Sequence, residues 1–89
     1  MKKYMLKVYD CDEEYYHVFE TEEKRSDYCE LWNGDEEKIL EKYGVEYIDD
    51  IEESLYVKGC LTMSELLRFC KNEGYDMTED FDDIPCLFL

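Results

Sequence analysis

The sequence is poor in proline and glycine and has no long apolar run. It contains one proline and four glycines in 89 residues, so no linker or low-complexity segment divides it. This length predicts one domain over residues 1–89. No stretch approaches the roughly 20 apolar residues that cross a membrane, and Lys7 and Asp10 interrupt the N-terminal apolar run before a secretory signal forms. These absences predict a cytoplasmic protein.

Basic residues are scarce relative to acidic ones. The chain has 10 Lys and Arg residues against 25 Asp and Glu residues, a formal net charge of −15. No basic stripe is present, which disfavours direct binding to nucleic acid. The charge does not indicate disorder, because nine tyrosines, four phenylalanines and one tryptophan join the aliphatic residues as core material.

Cysteine motifs are also absent. The five cysteines form no C-x-x-C pair, and an odd number fits a disulfide framework poorly. In a cytoplasmic protein we expect these thiols to be reduced. Cys29 and Cys70 fall on the apolar faces of predicted helices, where a thiol is typically a small core residue.

The other three cysteines and the single histidine form a candidate metal site. The three cysteines lie in turns or at the ends of predicted elements, and together with the histidine they have the ligand types of a tetrahedral Cys3His zinc site. One structural zinc would join the hairpin, the start of the last helix and the C-terminal segment, and would stabilise a small, self-repelling domain. The alternative for the histidine is an ordinary strand position. The candidate ligands are Cys11, His17, Cys60 and Cys86.

No catalytic motif is present, and we predict that the protein is not an enzyme. The residue types of a cysteine hydrolase occur without a local signature. The fragment from Asp10 to Glu14 begins like a calcium-binding EF-hand loop. However, Tyr15 stands where the turn glycine belongs, and Thr21 stands where the bidentate glutamate belongs. The sequence therefore predicts no dedicated calcium site.

The two ends of the chain have strand patterns. Residues 2–10 alternate with the period of a strand, the CDEE tetrapeptide at 11–14 predicts a turn, and residues 15–20 predict the return strand of a hairpin. The CLFL segment at 86–89 predicts a short edge strand.

Two helices are predicted directly after the hairpin. Thr21 is placed to cap a helix that runs to Trp32, with glutamates at its positive end. A second helix follows over residues 35–43, with Gly44 as its stop.

The clearest helix lies near the C-terminus. Residues 62–65 have a capping-box pattern that opens a helix over 63–73, with Gly74 as its C-cap. The stripe that we predict to be buried consists of Met63, Leu66, Leu67 and Cys70. The whole pattern predicts an α+β fold, with an N-terminal β-hairpin and a short sheet accompanied by three to four helices.

The stretch VEYIDDIEESLY, residues 45–56, carries five carboxylates. The spacing of its apolar and acidic residues fits a helix better than a strand. It predicts a short helix with Ile48, Ile51 and Leu55 facing inward. A strand is predicted over residues 54–59. The opposite, solvent-facing side of the predicted helix is an acidic ridge of Glu46, Asp49, Asp50 and Glu53.

A second acidic cluster precedes the C-terminal strand, in residues 76–83. One interpretation is a solvated face that only aids solubility. The other is a surface that docks on a basic, nucleic-acid-binding partner, because helical carboxylates about 5–6 Å apart approach the spacing of phosphates on one strand. The candidate partner-binding residues are the acidic ridge together with Glu79, Asp80, Asp82 and Asp83.

The small size, heavy acid content and lack of enzyme motifs resemble the phage-borne inhibitors of bacterial defence, in particular anti-CRISPR proteins and other DNA mimics. The resemblance is one of composition over the whole chain. It implies an inhibitor that occupies a basic surface of a partner such as a CRISPR-Cas9 effector and blocks DNA loading in the host cell cytoplasm. The alternative is a zinc-stapled protein-interaction domain without nucleic-acid mimicry. The oligomeric state stays open.

Overall fold

A four-stranded mixed sheet forms the centre of the protein. The computed structural model describes residues 4–74 and 83–89, except for the side chain of Glu53. The order across the sheet is β3-β2-β1-β4. Pairs β1–β2 and β2–β3 are antiparallel, whereas β4 runs parallel to β1. The strands are β1 Tyr4–Asp10, β2 Glu13–Phe19, β3 Tyr56–Leu61 and β4 Cys86–Phe88.

Helices connect these strands, and their order confirms the α+β prediction. Two helices follow the hairpin, a 3-10 helix and a single α-helical turn precede β3, and the last helix follows β3. They are α1 Glu22–Trp32, α2 Glu36–Tyr43, the 3-10 helix Ile48–Asp50, α3 Glu52–Leu55 and α4 Met63–Asn72.

The predicted N-terminal hairpin is confirmed, but its turn is shorter than expected. Only Cys11 and Asp12 lie between the strands, and Glu13 pairs with Asp10. Cys11 takes a left-handed conformation with φ of 55°, which tight two-residue hairpin turns require. The predicted turn over 11–14 was therefore too long, because the acidic residues after Asp12 continue the ladder.

The predicted helix starts are confirmed by their caps. The Thr21 hydroxyl accepts a hydrogen bond from the Lys24 amide at 3.2 Å. Thr62 and Glu65 form a reciprocal capping box, with bonds of 3.1 and 3.2 Å. These local signals fix where α1 and α4 begin.

The sheet is covered on both faces. Leu6 and Val8 point to a core built with α1, α2 and the segment before β3. Met5 points the other way, into a second cluster with Leu66 and Cys70 of α4. Because successive side chains of a strand alternate between faces, the alternation in β1 separates the molecule into two helical layers.

The predicted buried stripe of α4 is half right. Leu66 and Cys70 are buried as expected, but Met63 and Leu67 are each 46% exposed. Leu66 and Cys70 are four residues apart and lie above one another on one helix face. The partly buried Phe69 packs against the same cluster, so within the described residues the face of α4 that meets the sheet excludes Met63 and Leu67.

The stretch 45–56 does not form one helix. It divides into the 3-10 helix, the single turn of α3 and the start of β3, so the predicted strand 54–59 begins two residues late and ends at Leu61. The inward face is confirmed, because Ile51 and Leu55 are buried and Ile48 is half-buried. Burial of these residues, rather than helical periodicity, holds the segment in place.

Candidate partner-binding surface

The two layers on the sheet differ sharply in charge. Residues 20–53, which contain α1, α2 and the 3-10 helix, hold fourteen acidic and four basic residues, a net charge of −10. We call this segment the acidic layer. Residues 54–74, which contain β3 and α4, hold two acidic and three basic residues, a net charge of +1. Among the residues that the structure describes, the negative charge is thus concentrated on one face of the sheet.

Part of the acidic layer is neutralised internally. Basic side chains pair with acids of β2, of the turn before α1 and of α1 itself. Lys42 of α2 contacts Glu23 at 2.7 Å and Asp27 at 2.9 Å. Asp27 is buried and also accepts a hydrogen bond of 2.5 Å from the Tyr43 hydroxyl. These bonds lock α2 against α1, a role that the sequence pattern did not reveal.

The contacts of this lock shift the pKa values of Tyr43 and Lys42. Partial burial, the hydrogen bond to Asp27 and the carboxylate charge together raise the pKa of Tyr43 to about 12. The pKa of Lys42 is likewise raised, because its ammonium donates to Glu23 and Asp27. Both groups therefore keep their protons at neutral pH, and the lock holds its charge pattern.

A second part of the acidic layer is not neutralised. Glu46, Asp49 and Asp50 are exposed, and no ion pair among the described residues includes any of them. Tyr47 lies between them in sequence and is 67% exposed. We call these four residues the 46–50 patch. It offers to solvent three negative charges and a tyrosine, a residue type that is enriched at binding hot spots.

The 46–50 patch is not the helical ridge that we predicted from spacing. Glu46 precedes the 3-10 helix, Asp49 and Asp50 lie within it, and Glu53 belongs to the next turn. The regular 5–6 Å spacing of an α-helix therefore does not apply across the ridge. The side chain of Glu53 lies outside the described part, as do Glu79, Asp80 and Asp82, whereas Asp83 is exposed.

His17 is a core residue, as the alternative interpretation predicted. Its side chain is 1% exposed, and its ring stacks on Tyr56 at 4.4 Å between centroids. Nδ1 accepts the Cys60 amide at 3.1 Å, so Nε2 carries the proton and donates to the Tyr28 hydroxyl, also at 3.1 Å. The Tyr28 hydroxyl in turn donates to Glu52 at 3.4 Å. Both ring nitrogens are therefore engaged within the protein.

This chain of hydrogen bonds joins the sheet to the acidic layer. Burial lowers the pKa of His17 to about 4, so the ring is neutral at physiological pH. Burial and the Glu52 carboxylate both raise the pKa of Tyr28. Sequence analysis singled out His17 but not its partners Tyr28 and Glu52, because they come from elements that meet only in the folded chain.

The candidate zinc site is not assembled, and His17 is wrong as a ligand. Cys60 lies on β3 and Cys86 on β4, which are opposite edges of the sheet. Three strand spacings separate them by about 14 Å, whereas thiolates bound to one zinc are within about 4 Å of each other. Cys11 lies at the hairpin turn. Among residues 4–74 and 83–89, no three metal-ligating side chains are grouped to hold an ion.

The buried thiols agree with the sequence prediction. Cys70 is buried and Cys29 is half-buried, and burial raises the pKa of both thiols. A raised pKa keeps a thiol protonated and unreactive. These two cysteines therefore act as small core residues.

The comparisons with known proteins add no relative. No helix within the described ranges is long and apolar enough to cross a membrane. No protein-family model, curated protein or solved structure matches this chain. The functional argument therefore depends on the chain's own surface.

Proposed function

We propose that this protein is a binding inhibitor that occupies the basic, nucleic-acid-binding surface of a partner protein. The observation that carries the proposal is the 46–50 patch. It presents three exposed carboxylates without ion-pair partners in the described structure beside the exposed Tyr47. We propose a CRISPR-Cas9 effector as the partner class and the cytoplasm of the bacterial host as the site of action.

Electrostatics supports a basic partner over a neutral one. The acidic layer carries a net charge of −10, and a charged surface of one sign attracts its complement over about one Debye length, roughly 8–10 Å at physiological salt. A channel that binds phosphates is lined with Arg and Lys. Carboxylates that enter such a channel replace phosphates as counter-charges, and the two ligands then compete for the same groups.

The aromatic side chains on the same layer support a specific contact. Trp32 and Tyr43 are each 36% exposed, at the C-terminal ends of α1 and α2, and Tyr47 is more exposed than either. Tyr and Trp are enriched among residues that dominate binding energy, because they bury a large area with few rotatable bonds. Charge would bring the partner close, and these rings would fix its position.

We propose that the protein acts by binding rather than by catalysis. Its single histidine has both nitrogens committed to internal hydrogen bonds, and burial raises the pKa of the buried Cys70 thiol and of the half-buried Cys29 thiol. We therefore propose inhibition by occupancy. Because the four candidate ligands are not gathered, the zinc-stapled alternative has no assembled site to support it.

Competition with DNA tests the proposal directly. The purified protein would be mixed with a guide-loaded Cas9-type effector, and DNA binding by the effector would be measured at low and at high salt. We expect the protein to reduce DNA loading at low salt and to lose this effect as salt rises, because screened charges attract weakly. Undiminished DNA loading at every protein concentration would contradict a Cas9-type partner.

Capture from a bacterial lysate by the immobilised protein would then test the broader class. We expect nucleic-acid-binding proteins to be retained and to elute with salt. Retention that is unaffected by salt would contradict an electrostatic contact and would assign binding to apolar side chains.

A further inference from the structure

Within residues 4–74 and 83–89, the edge strand β4 has backbone hydrogen-bonding groups that no other strand uses. The Lys7 amide donates to Pro85 and the Leu89 amide donates to Tyr9. In a parallel pair with this register, the backbone N–H and C=O groups of every second residue of β4 point toward β1. Cys86 and Phe88 therefore direct their N–H and C=O groups away from the sheet, where β4 is the last strand among the described residues.

An aromatic surface lies beside this open edge. Phe88 is 73% exposed, and its ring stacks on Tyr9 with centroids 4.8 Å apart and planes 6° from parallel. The Lys7 ammonium lies 4.9 Å from the centre of the Tyr9 ring. Stacking holds the Phe88 ring in place, so a strand added beside β4 would meet a preformed aromatic contact.

The opposite edge of the sheet is built differently. Pairing between β2 and β3 has two register shifts, and Cys60 adopts a positive φ of 56°. Bulges twist an edge strand and interrupt the row of groups that an added strand needs. β3 also carries the exposed Lys58, a residue type that protects edges. β4 has a continuous three-residue register with β1 and no such interruption.

We propose that the β4 edge binds an extended, basic segment of a partner protein by β-strand addition. Charge complementarity selects this occupant, because exposed acids flank the edge: Asp83 precedes β4, and Asp12 lies in the hairpin turn beyond the Tyr9–Phe88 pair. A second copy of the chain would bring another net charge of −15 to the same place. The inference takes only the charge of the partner from the proposed function, since the edge lies outside the acidic layer.

Amide hydrogen exchange on the intact protein tests this inference. The probe is a peptide of about nine residues that alternates lysine and valine, because strand addition reads backbone groups and alternate side chains. We expect the peptide to slow exchange at the Cys86 and Phe88 amides. A matched peptide with an N-methyl group on every residue has no N–H donor on either edge and should give no protection. Equal protection by both peptides would overturn the inference.

Two substitutions at one position separate backbone pairing from charge attraction. Cys86→Pro removes an outward N–H that β1 does not use, and edge strands accept proline at such positions. Cys86→Thr keeps that N–H and serves as the control. We expect the proline variant to bind the peptide of alternating lysine and valine at least about tenfold more weakly than the threonine variant does. Equal affinities of the two variants would overturn strand addition.

Two further outcomes would also overturn the proposal. One is protection of Cys86 and Phe88 that rises with protein concentration without peptide, which would assign the edge to self-association. The other is equal binding of a glutamate–valine peptide, which would remove the preference for a basic segment. Loss of the proposed function would look different. A protein that binds the peptide at β4 but leaves DNA loading intact would retain the edge site and lose the inhibitor role.

Discussion

The two layers that cover the sheet have similar structural tasks and opposite electrical character. The acidic layer buries Tyr28, Ile39 and Ile51 against one face, and α4 buries Leu66 and Cys70 against the other. Yet the first carries a net charge of −10 and the segment with β3 and α4 carries +1. Packing against the sheet uses the apolar side chains of both layers, and the exposed acids of the first layer take no part in it. The comparison therefore teaches that the acid is an additional property of one surface, which supports a binding role.

The largest expected effect on stability comes from truncating one buried side chain in each layer. Ile51, which directly follows the 46–50 patch, and Leu66, which belongs to α4, are both almost fully buried. Ile51→Ala and Leu66→Ala should each lower the free energy of unfolding by about 2–5 kcal/mol, because each leaves a cavity. Urea titration of both variants measures this loss.

The same pair sharpens the functional comparison. Ile51→Ala should also weaken partner binding by the folded protein, since it loosens the segment that presents Tyr47 and Asp49. Leu66→Ala should leave the affinity of the folded protein unchanged. An equal loss of affinity in both variants would show that binding does not depend on the acidic layer in particular.

The next effect is a pH dependence of the free energy of unfolding. It originates at His17, in the hydrogen-bond chain that joins the sheet to the acidic layer. Burial lowers the pKa of His17 to about 4, below its usual value of 6.5. The unfolded chain therefore binds the proton more readily, and His17 should cost stability as the pH falls from about 6.5 to 4. The loss at the acid end should be about 3 kcal/mol relative to neutral pH.

A variant that cannot titrate isolates this contribution. His17→Gln keeps a donor for Tyr28 but has no pKa in the range, so the difference between the two proteins removes the effect of the many carboxylates. Urea unfolding of both at several pH values gives the difference. A constant difference between pH 7 and pH 4 would contradict a neutral, buried His17.

A smaller effect should follow from the lock between α1 and α2. Asp27→Asn keeps the shape of the side chain but removes its negative charge. The charged carboxylate pairs with the Lys42 ammonium and accepts a hydrogen bond from the Tyr43 hydroxyl. We expect a loss of about 1–3 kcal/mol, since hydrogen bonds to a charged buried group exceed neutral ones. The loss should change little with salt, because buried pairs are screened weakly. A loss that disappears at high salt would place Asp27 in contact with solvent.

The smallest effect concerns repulsion within the 46–50 patch. Asp49→Lys and Asp50→Lys together should raise the free energy of unfolding by up to about 0.5 kcal/mol at low salt, because they reduce like-charge repulsion. The gain should vanish as salt rises. Thermal unfolding at two salt concentrations measures it. A clear loss of stability would mean that these carboxylates support the fold.

Local signals predicted most of the fold. The Thr21 cap, the capping box at Thr62 and the alternation of β1 depend on neighbouring residues, and the structure confirms each. The sequence could not give the width of the buried face of α4, because that depends on how much of the sheet α4 covers. It also predicted one continuous helix where Ile48–Leu55 divides into a 3-10 helix and a single α-helical turn, since tertiary burial outweighs propensity in short segments.

The functional surface was harder to predict. Glu46, Asp49 and Asp50 were correctly expected to be exposed, because a dense run of carboxylates cannot be buried without partners. The failed zinc prediction depended on distance across the sheet. The Cys60 amide donates a hydrogen bond to the His17 ring, although the two residues are 43 positions apart in the sequence. Cys86 lies at the opposite edge of the sheet. Residue types and spacing contain neither fact.

The central claim is that the position of the acid, and not only its amount, determines binding. The most direct measurement is the affinity of a Cas9-type effector for two triple variants of equal net charge. One reverses Glu46, Asp49 and Asp50 to lysine, and the control reverses the exposed Glu36, Glu37 and Glu41 of α2. We predict that the first variant loses at least about tenfold more affinity than the control. Equal losses would contradict a localised patch, and unchanged affinity in both would contradict an acidic contact with this partner.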